Sequence, residues 1–281
     1  MRILLTGAEG FTGRHFQNKA KSLGHDVVEF KADLTNADAV SAEVKTICPS
    51  HVIHLAAISS VTHADEEAFY QVNLFGTQNL LKALSDLPNA PEKVLLASSA
   101  NVYGNASVSP IPETYCPKPV NHYALSKLAM ELMSTSFAQL LPIVIARPFN
   151  YTGILHDNRF VVPKIVEHFQ QRAAEIELGN LDVLREYNDV RMVCQAYLDL
   201  LNLGVPGEAY NIASGRAVAL KTIISTLEEI TGHNMNVKVN PAFIRPNEIN
   251  ILSGASQKIE DLLGPLKHPS LEDTLSWMVN S

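Results

Sequence analysis

The chain has 281 residues, of which 46% are hydrophobic and 18% charged, the balance of an ordinary water-soluble globular protein with a sizeable core. A formal charge of −7 with no compensating basic patch argues against a nucleic-acid partner, and no apolar stretch is long enough to span a bilayer. Cys48, Cys116 and Cys194 are too scattered for a metal site, as are the ten histidines, and three reduced thiols in a cytoplasmic protein are expected.

The chain opens with a short apolar strand, Arg2 to Thr6, that runs straight into Gly7, Gly10 and Gly13. Glycine suits a tight strand-to-helix turn and lets backbone and helix N-terminus close on a pyrophosphate. The spacing is Gly-x-x-Gly-x-x-Gly, so Gly10-Phe11-Thr12-Gly13-Arg14 is a candidate dinucleotide cradle, distinct from the Gly-x-Gly-x-x-Gly fingerprint. Glycines and Glu9 break the apolar run too early for a signal peptide. A helix follows from Arg14 to Leu23, ended by Gly24, and then a strand from Asp26 to Phe30. That strand ends Glu29-Phe30-Lys31, with the acid behind the tip and with Lys31 and Arg14 near where a 2′-phosphate would lie. NADP(H) is therefore favoured, with NAD(H) possible. The short connection through Asp33-Leu34-Thr35 implies a third strand that is reduced or fused to the second, before a helix from Ala37 to Cys48.

His51 to Ala57 reads as an apolar strand ending in the small residues after Leu55, Ala56 and Ala57, with His54 a core histidine. Val94 to Ala97 delivers Ser98-Ser99 at the C-terminal end of a strand, where open parallel sheets bind ligands. Tyr123 and Lys127 are four apart on a helix and share a face. A nearby ammonium would stabilise the Tyr123 phenolate, while Ser99 could hold a substrate oxygen. Strands alternating with helices imply an α/β fold with a doubly wound parallel sheet.

The glycine turn followed by Ser98-Ser99 and Tyr-x-x-x-Lys resembles the extended short-chain dehydrogenase/reductase family, over nearly the whole chain. The resemblance implies a Rossmann domain over residues 1–150. Residues 151–281 would then be mainly a smaller, interleaved nucleotide-sugar-binding lobe, with segments returning to the first domain. It gives Asp33 and Leu34 a place beside the adenine, and Leu55, Ala56 and Ala57 a close approach to adenosine. Val72-Asn73-Leu74-Phe75-Gly76-Thr77 resembles the family's Val-Asn-x-x-Gly-Thr helix, which makes Asn73 an organiser of the cofactor site. Arg147-Pro148-Phe149-Asn150 resembles its Arg-Pro-x-Asn segment beside the nicotinamide. Gly179-Asn180-Leu181-Asp182 with Arg185, then Tyr210-Asn211 and Arg245-Pro246-Asn247-Glu248, is similar to the nucleotide-sugar branch, nearest the group of GDP-4-keto-6-deoxy-D-mannose reductases and GDP-mannose 4,6-dehydratases. Arg185 and Arg245 are candidates for the substrate diphosphate, with Lys164, Asn150 and Glu248 helping; the alternative for each arginine is a salt bridge to Glu186 or Glu248.

Dehydratases of the family carry an acid two positions after the catalytic hydroxyl; here Ala100 and Asn101 follow Ser99, and neither can shuttle a proton. The expected activity is NAD(P)H-dependent reduction of a GDP- or dTDP-linked 4-keto-6-deoxyhexose, which would supply deoxysugar for polysaccharide assembly. A 4-epimerase with tightly bound NAD is the alternative, ahead of a non-catalytic nucleotide sensor on the same fold. The resemblance also implies a homodimer joined through a four-helix bundle.

Overall fold

The computed structural model describes residues 1–59, 65–244 and 249–281. In the first half, β1 (Arg2–Thr6) leads through the glycine turn to α1 (Phe11–Ser22), and β2 (Asp26–Glu29) to α2 (Ala37–Ile47). β3 (His51–His54) is followed by α3 (Glu66–Tyr70), which passes through a π-helical segment at Gln71–Gly76 into α4 (Thr77–Ser85). Then come β4 (Lys93–Ala97), α5 (His122–Ser134) and β5 (Ile143–Pro148). Side chains of Asn36, Asp65 and Asn121 accept from backbone N–H groups at the starts of α2, α3 and α5, which fixes where each helix begins. β2 ends at Glu29 and not at Phe30, so the acid does occupy the strand tip, where it accepts from Gln17 Nε2 at 2.5 Å. No strand forms over residues 31–36; a turn closes there through Asn36 N–H to the Asp33 carbonyl.

The second half holds β6 (Tyr151–Thr152), α6 (Val161–Gln170), β7 (Glu175–Leu178), β8 (Leu184–Glu186), β9 (Asn188–Asp189) and α7 (Val190–Leu203). It continues with β10 (Ala209–Ile212), β11 (Ala217–Ala219), α8 (Leu220–Thr231), β12 (Asn236–Val239), β13 (Ile251–Leu252), α9 (Gln257–Leu263) and α10 (Leu271–Val279). None of these helices is long and apolar enough to cross a membrane, among the described residues.

Six strands form one parallel sheet in the order β10-β5-β4-β3-β1-β2. Successive strand residues point to opposite faces, and here each face has its own core. Ile3, Leu5, Ile53, Leu95, Val144 and Ala146 pack with α1 and α7 residues such as Phe16, Val193 and Tyr197. Leu4, Val52, Val94, Leu96, Ile143 and Ile145 pack with Val40 and Val44 of α2, Leu80 of α4 and Met130 of α5. Burial on both faces explains why the strands read as continuous apolar runs. α6, α8, α10 and β7 enclose a third core around Ile165, Phe169, Ile223, Leu227 and Leu275. β10 leaves that half of the chain to pair with β5, and α7 covers one face of the main sheet. The sheet has its switch point between β1 and β3, because the chain goes from β1 to one neighbour and then crosses to the other. A crevice opens at the C-terminal ends of the strands at such a point.

Candidate active site

Gly7, at the end of β1, has φ +71°, and a Cβ there would lie 2.8 Å from Ala56 N. A Cβ on Gly13 would lie 2.1 Å from the Gly7 carbonyl oxygen. The glycine turn is thus packed backbone to backbone against Leu55-Ala56 and against the first turn of α1. Thr6 fastens it from below: its Oγ1 accepts from Leu55 N–H and Ala56 N–H, both at 3.1 Å, and donates to His54 Nδ1 at 2.7 Å. His54 Nε2 then donates to Thr77 Oγ1 at 2.8 Å, and Thr77 donates to the Asn73 carbonyl at 2.7 Å. Full burial keeps His54 neutral by lowering its pKa to about 3, so this core histidine has one fixed tautomer. The Asn73 side chain accepts from Ile58 N–H at 2.9 Å and donates to Ser126 Oγ at 3.0 Å, which ties the crevice wall to α5. Ala57 follows in the same wall, and the buried Ser98 Oγ at the tip of β4 has no hydrogen-bond partner among the described residues. Glycines at a switch point, with an unsatisfied hydroxyl at the tip of β4 in the same sheet, fit a dinucleotide.

Towards the outer end of the crevice, Arg14 is exposed and donates through Nε to the Glu9 carbonyl. Lys31 is exposed too, while its backbone N–H and that of Ala32 are taken by the Glu43 carboxylate. Asp33 accepts from Thr35 N–H and Oγ1, which lowers its pKa. Leu34 is buried under Gly76, where a Cβ would come within 2.9 Å of the leucine Cβ.

Ser99, Tyr123 and Lys127 meet at the ends of β4 and α5. Tyr123 stands near Ser99; burial raises the phenol pKa and the Ser99 hydroxyl opposes that rise. Lys127 is 2% exposed and donates from Nζ to the Ala97 carbonyl at 2.7 Å. Burial lowers its pKa to about 8, with Glu131 acting in the other direction.

Other expected contacts are placed differently. Arg147 does not present its guanidinium to the crevice. It makes a buried two-pronged pair with Glu131, at 3.0 and 2.6 Å, and donates to the Tyr103 hydroxyl at 2.9 Å. Glu131 sits on α5, one turn beyond Lys127, so the arginine anchors that helix to β5. Phe149 is fully buried with its ring against Gly254 and stacked on Tyr103, and so belongs to a core. Phe11 stacks on His156 with centroids 4.2 Å apart, so its ring faces the second half of the chain; its neighbour Thr12 shares a 2.8 Å hydrogen bond with the Tyr151 hydroxyl. Asn150 is exposed, and its carbonyl accepts from Asn188 N–H. Lys164 donates to the Glu177 carbonyl at 2.9 Å and lies over the Phe243 ring. Arg185 donates to the carbonyls of Leu184, Ile249 and Asn250 and tethers the segment that follows Glu248. Arg245 and Glu248 lie outside the described residues.

Glu186 is not paired with Arg185 in these contacts. Its fully buried carboxylate accepts from Asn188 Nδ2, from Ser214 N–H and Oγ, from Gly215 N–H, from Ser253 Oγ and from Gly254 N–H. It joins the ends of β8, β10 and β13. Sequence reasoning missed this hub because Arg185-Glu186 reads as an ion pair; the Ser-Gly pairs at 214–215 and 253–254 were its only trace.

The family profile described as GDP-mannose 4,6 dehydratase matches residues 12–278. The chain is 35% identical over 269 residues to GDP-6-deoxy-D-talose 4-dehydrogenase of Aggregatibacter actinomycetemcomitans, covering 94% of this chain and 92% of that one. It is 32% identical to GDP-6-deoxy-D-mannose reductase of Pseudomonas aeruginosa over 279 residues, covering 94% and 91%. Among solved structures, a protein from Burkholderia cenocepacia J2315 provisionally described as an epimerase superposes with TM-score 0.94 at 42% identity, covering 99% and 97%. The Pseudomonas aeruginosa protein RMD, complexed with NADPH, superposes with TM-score 0.92 at 29% identity, covering 100% and 98%. With a parallel six-stranded sheet, a glycine turn at its switch point and a Ser-Tyr-Lys cluster beside it, the chain belongs to the GDP-mannose 4,6-dehydratase family of extended short-chain dehydrogenases/reductases.

Proposed function

We propose that this protein reduces the 4-keto group of a nucleotide-linked 4-keto-6-deoxyhexose, GDP-linked in preference to dTDP-linked, with NADPH favoured over NADH. The observation that carries the reading is the buried Ser99–Tyr123–Lys127 cluster with Ala100 and Asn101, and no acid, directly after Ser99. Two relatives named for oxidoreductases of GDP-6-deoxyhexoses support the nucleotide and the sugar class. The exposed cations Arg14 and Lys31, and a similar protein complexed with NADPH, support the cofactor; the Glu29 carboxylate at the tip of β2 and a neighbour complexed with NAD keep NADH in view.

The turn from Gly7 to Gly13 would hold the dinucleotide pyrophosphate, with Ala56 and Ala57 along the adenosine half and Ser98 and Tyr123 at the nicotinamide end. When bound there, a reduced nicotinamide would supply the hydride for carbon 4. Tyr123 gives its phenolic proton to the substrate oxygen, so that the carbonyl becomes a hydroxyl and a phenolate is left. The Lys127 ammonium stabilises that phenolate, and the Ser99 hydroxyl donates to the same substrate oxygen to hold it in line. Elimination of water between carbons 5 and 6 needs a further proton carrier, which Asn101 cannot be. An epimerase is the second reading, favoured by the provisional description of the Burkholderia cenocepacia protein at 42% identity.

The test is oxidation of NADPH or NADH on offering GDP- and dTDP-4-keto-6-deoxyhexoses. Tyr123→Phe should leave cofactor binding nearly unchanged and lower turnover by about 10²- to 10⁴-fold, the usual worth of a positioned general acid. Full activity in that variant would sink the mechanism. Interconversion of an unreduced nucleotide-hexose with its 4-epimer, without net oxidation, would establish the second reading.

A further inference from the structure

Asn101 stands at the place where a dehydration would require an acid, and its side chain is engaged. Ser99 caps the short 3-10 turn at Ala100–Tyr103 and accepts from Asn101 N–H at 3.2 Å. The Asn101 carboxamide adds a second donor to the same oxygen, Nδ2 to Oγ at 3.1 Å. A hydroxyl oxygen has two acceptor sites and one proton. With both acceptor sites filled from Asn101, Ser99 can only donate, and Tyr123 is the neighbouring group whose acidity its hydroxyl favours. We propose that Asn101 is a positioning residue, whose amide locks the Ser99 hydroxyl into donating to Tyr123 and, during reduction, to the substrate oxygen.

The proposal rests on the reading of Tyr123 as the proton donor. In the step concerned the Tyr123 O–H bond breaks and a new O–H bond forms on the sugar; Ser99 keeps its own proton throughout. A hydrogen bond into the tyrosine oxygen is worth more to the phenolate than to the phenol, so fixing Ser99 as donor makes Tyr123 a better acid. The other titratable groups facing Tyr123 are Lys127, one turn along α5, and the buried hydroxyls of Tyr151 and Tyr197. None of these is bonded to Asn101.

Asn101→Asp is nearly isosteric but exchanges the N–H donor for an acceptor. Once ionised, the introduced carboxylate should draw the Ser99 proton away from Tyr123. Asn101→Ala removes the amide donor without adding charge and serves as a second variant. The Tyr123 titration can be followed by NMR of protein labelled at the tyrosine Cζ carbons, in complex with NADP⁺, with Tyr123→Phe identifying the signal. Both variants should move that titration upwards, Asn101→Asp by about one pH unit, which is tenfold in acidity. In a Ser99→Ala background Asn101→Ala should not move it further, because the effect is routed through Ser99.

The same Asn101→Asp protein should reduce substrate roughly tenfold more slowly at neutral pH and recover as the introduced carboxylate takes up a proton. An unmoved Tyr123 titration, or an Asn101→Ala shift that persists without the Ser99 hydroxyl, overturns the proposal. The titration needs only cofactor, so it stands or falls separately from the substrate assignment. Failure of the wild-type protein to oxidise NADPH with any 4-keto sugar would remove the reduction reading and leave the NMR result to decide the role of Asn101.

Discussion

Lys127 carries a conflict between stability and proposed function within one side chain. Its ammonium has left water for a site where the Ala97 carbonyl is its hydrogen-bond partner, and its pKa falls from 10.5 to about 8. That difference corresponds to about 3 kcal/mol of cost to the folded state at neutral pH. The sign follows from proton counting. Below pH 8 both folded and unfolded chains hold the proton and the whole cost is present. Between about 8 and 10.5 only the unfolded chain holds it, so stability contributed at this site rises with pH. Lys127→Met keeps the length of the side chain without the charge, and should melt at the same temperature as the parent or higher at pH 7 while losing most activity. A melting temperature several degrees lower, followed by calorimetry, would show that the ammonium stabilises the fold. The nearness of Tyr123, Lys127 and Ser99 was legible in the sequence because it depends on spacing along one helix and on a strand end. The placement of Arg147 and Phe149 was not, although they lie in an equally legible segment. Which partner a buried arginine takes depends on Glu131, sixteen residues away on another element, and periodicity carries no record of that choice.

At the scale of elements, the junction of β1, the glycine turn and α1 has little tolerance for a side chain. A Cβ on Gly13 would sit 2.1 Å from the Gly7 carbonyl and 2.8 Å from both Ala8 Cα and Ala8 O, and all three are backbone atoms that cannot swing aside. Gly13→Ala therefore has to open the turn itself, at a cost of about 1–3 kcal/mol by analogy with overpacked cores. Cofactor affinity should fall by more than tenfold, since the same backbone is the proposed seat of the pyrophosphate. Gly24, with φ +79° but nothing within 4 Å of its Cβ, is the control: Gly24→Ala should lower stability slightly and leave affinity alone. Equal affinity in the Gly13→Ala and parent proteins, measured by fluorescence titration of NADPH, would contradict the close-packed turn. The alternation of strands and helices in this half was readable because both sheet faces are buried, so each strand is an apolar run bounded by turns. The second half was harder. Its strands are two to four residues long, and several are joined through Glu186, Arg185 and Asp189 binding to backbone or distant side chains, for which sequence offers only scattered serines and glycines.

For the whole molecule, the helices that carry Asn73, Tyr123 and Lys127 on their inner side leave an apolar stripe on the outer side. Leu125 is 44% and Leu132 64% exposed on α5, seven residues and two turns apart, with Leu128 and Ala129 partly exposed between them. Phe75, 47% exposed, lies on the neighbouring π-helical segment, which packs against α5. Single exposed leucines are commonplace, but a stripe with helical period on adjacent helices is what an interface between copies requires. Two copies related by a two-fold axis would bring four helices together and cover it, the arrangement implied by the family resemblance. The expectation is a homodimer whose interface stiffens the outer side of α5. Leu125→Arg combined with Leu132→Arg should then give a monomer by sedimentation. Neither residue is buried within the protomer, so its fold should be unharmed. If the interface steadies the catalytic helix, the monomer should bind NADPH normally and turn over more slowly. A sedimentation coefficient that is the same for parent and variant would mean that the stripe is not the contact, and that α5 is held in place by contacts within the protomer, among them the Glu131–Arg147 pair, the Asn73–Ser126 bond and the Lys127–Ala97 bond.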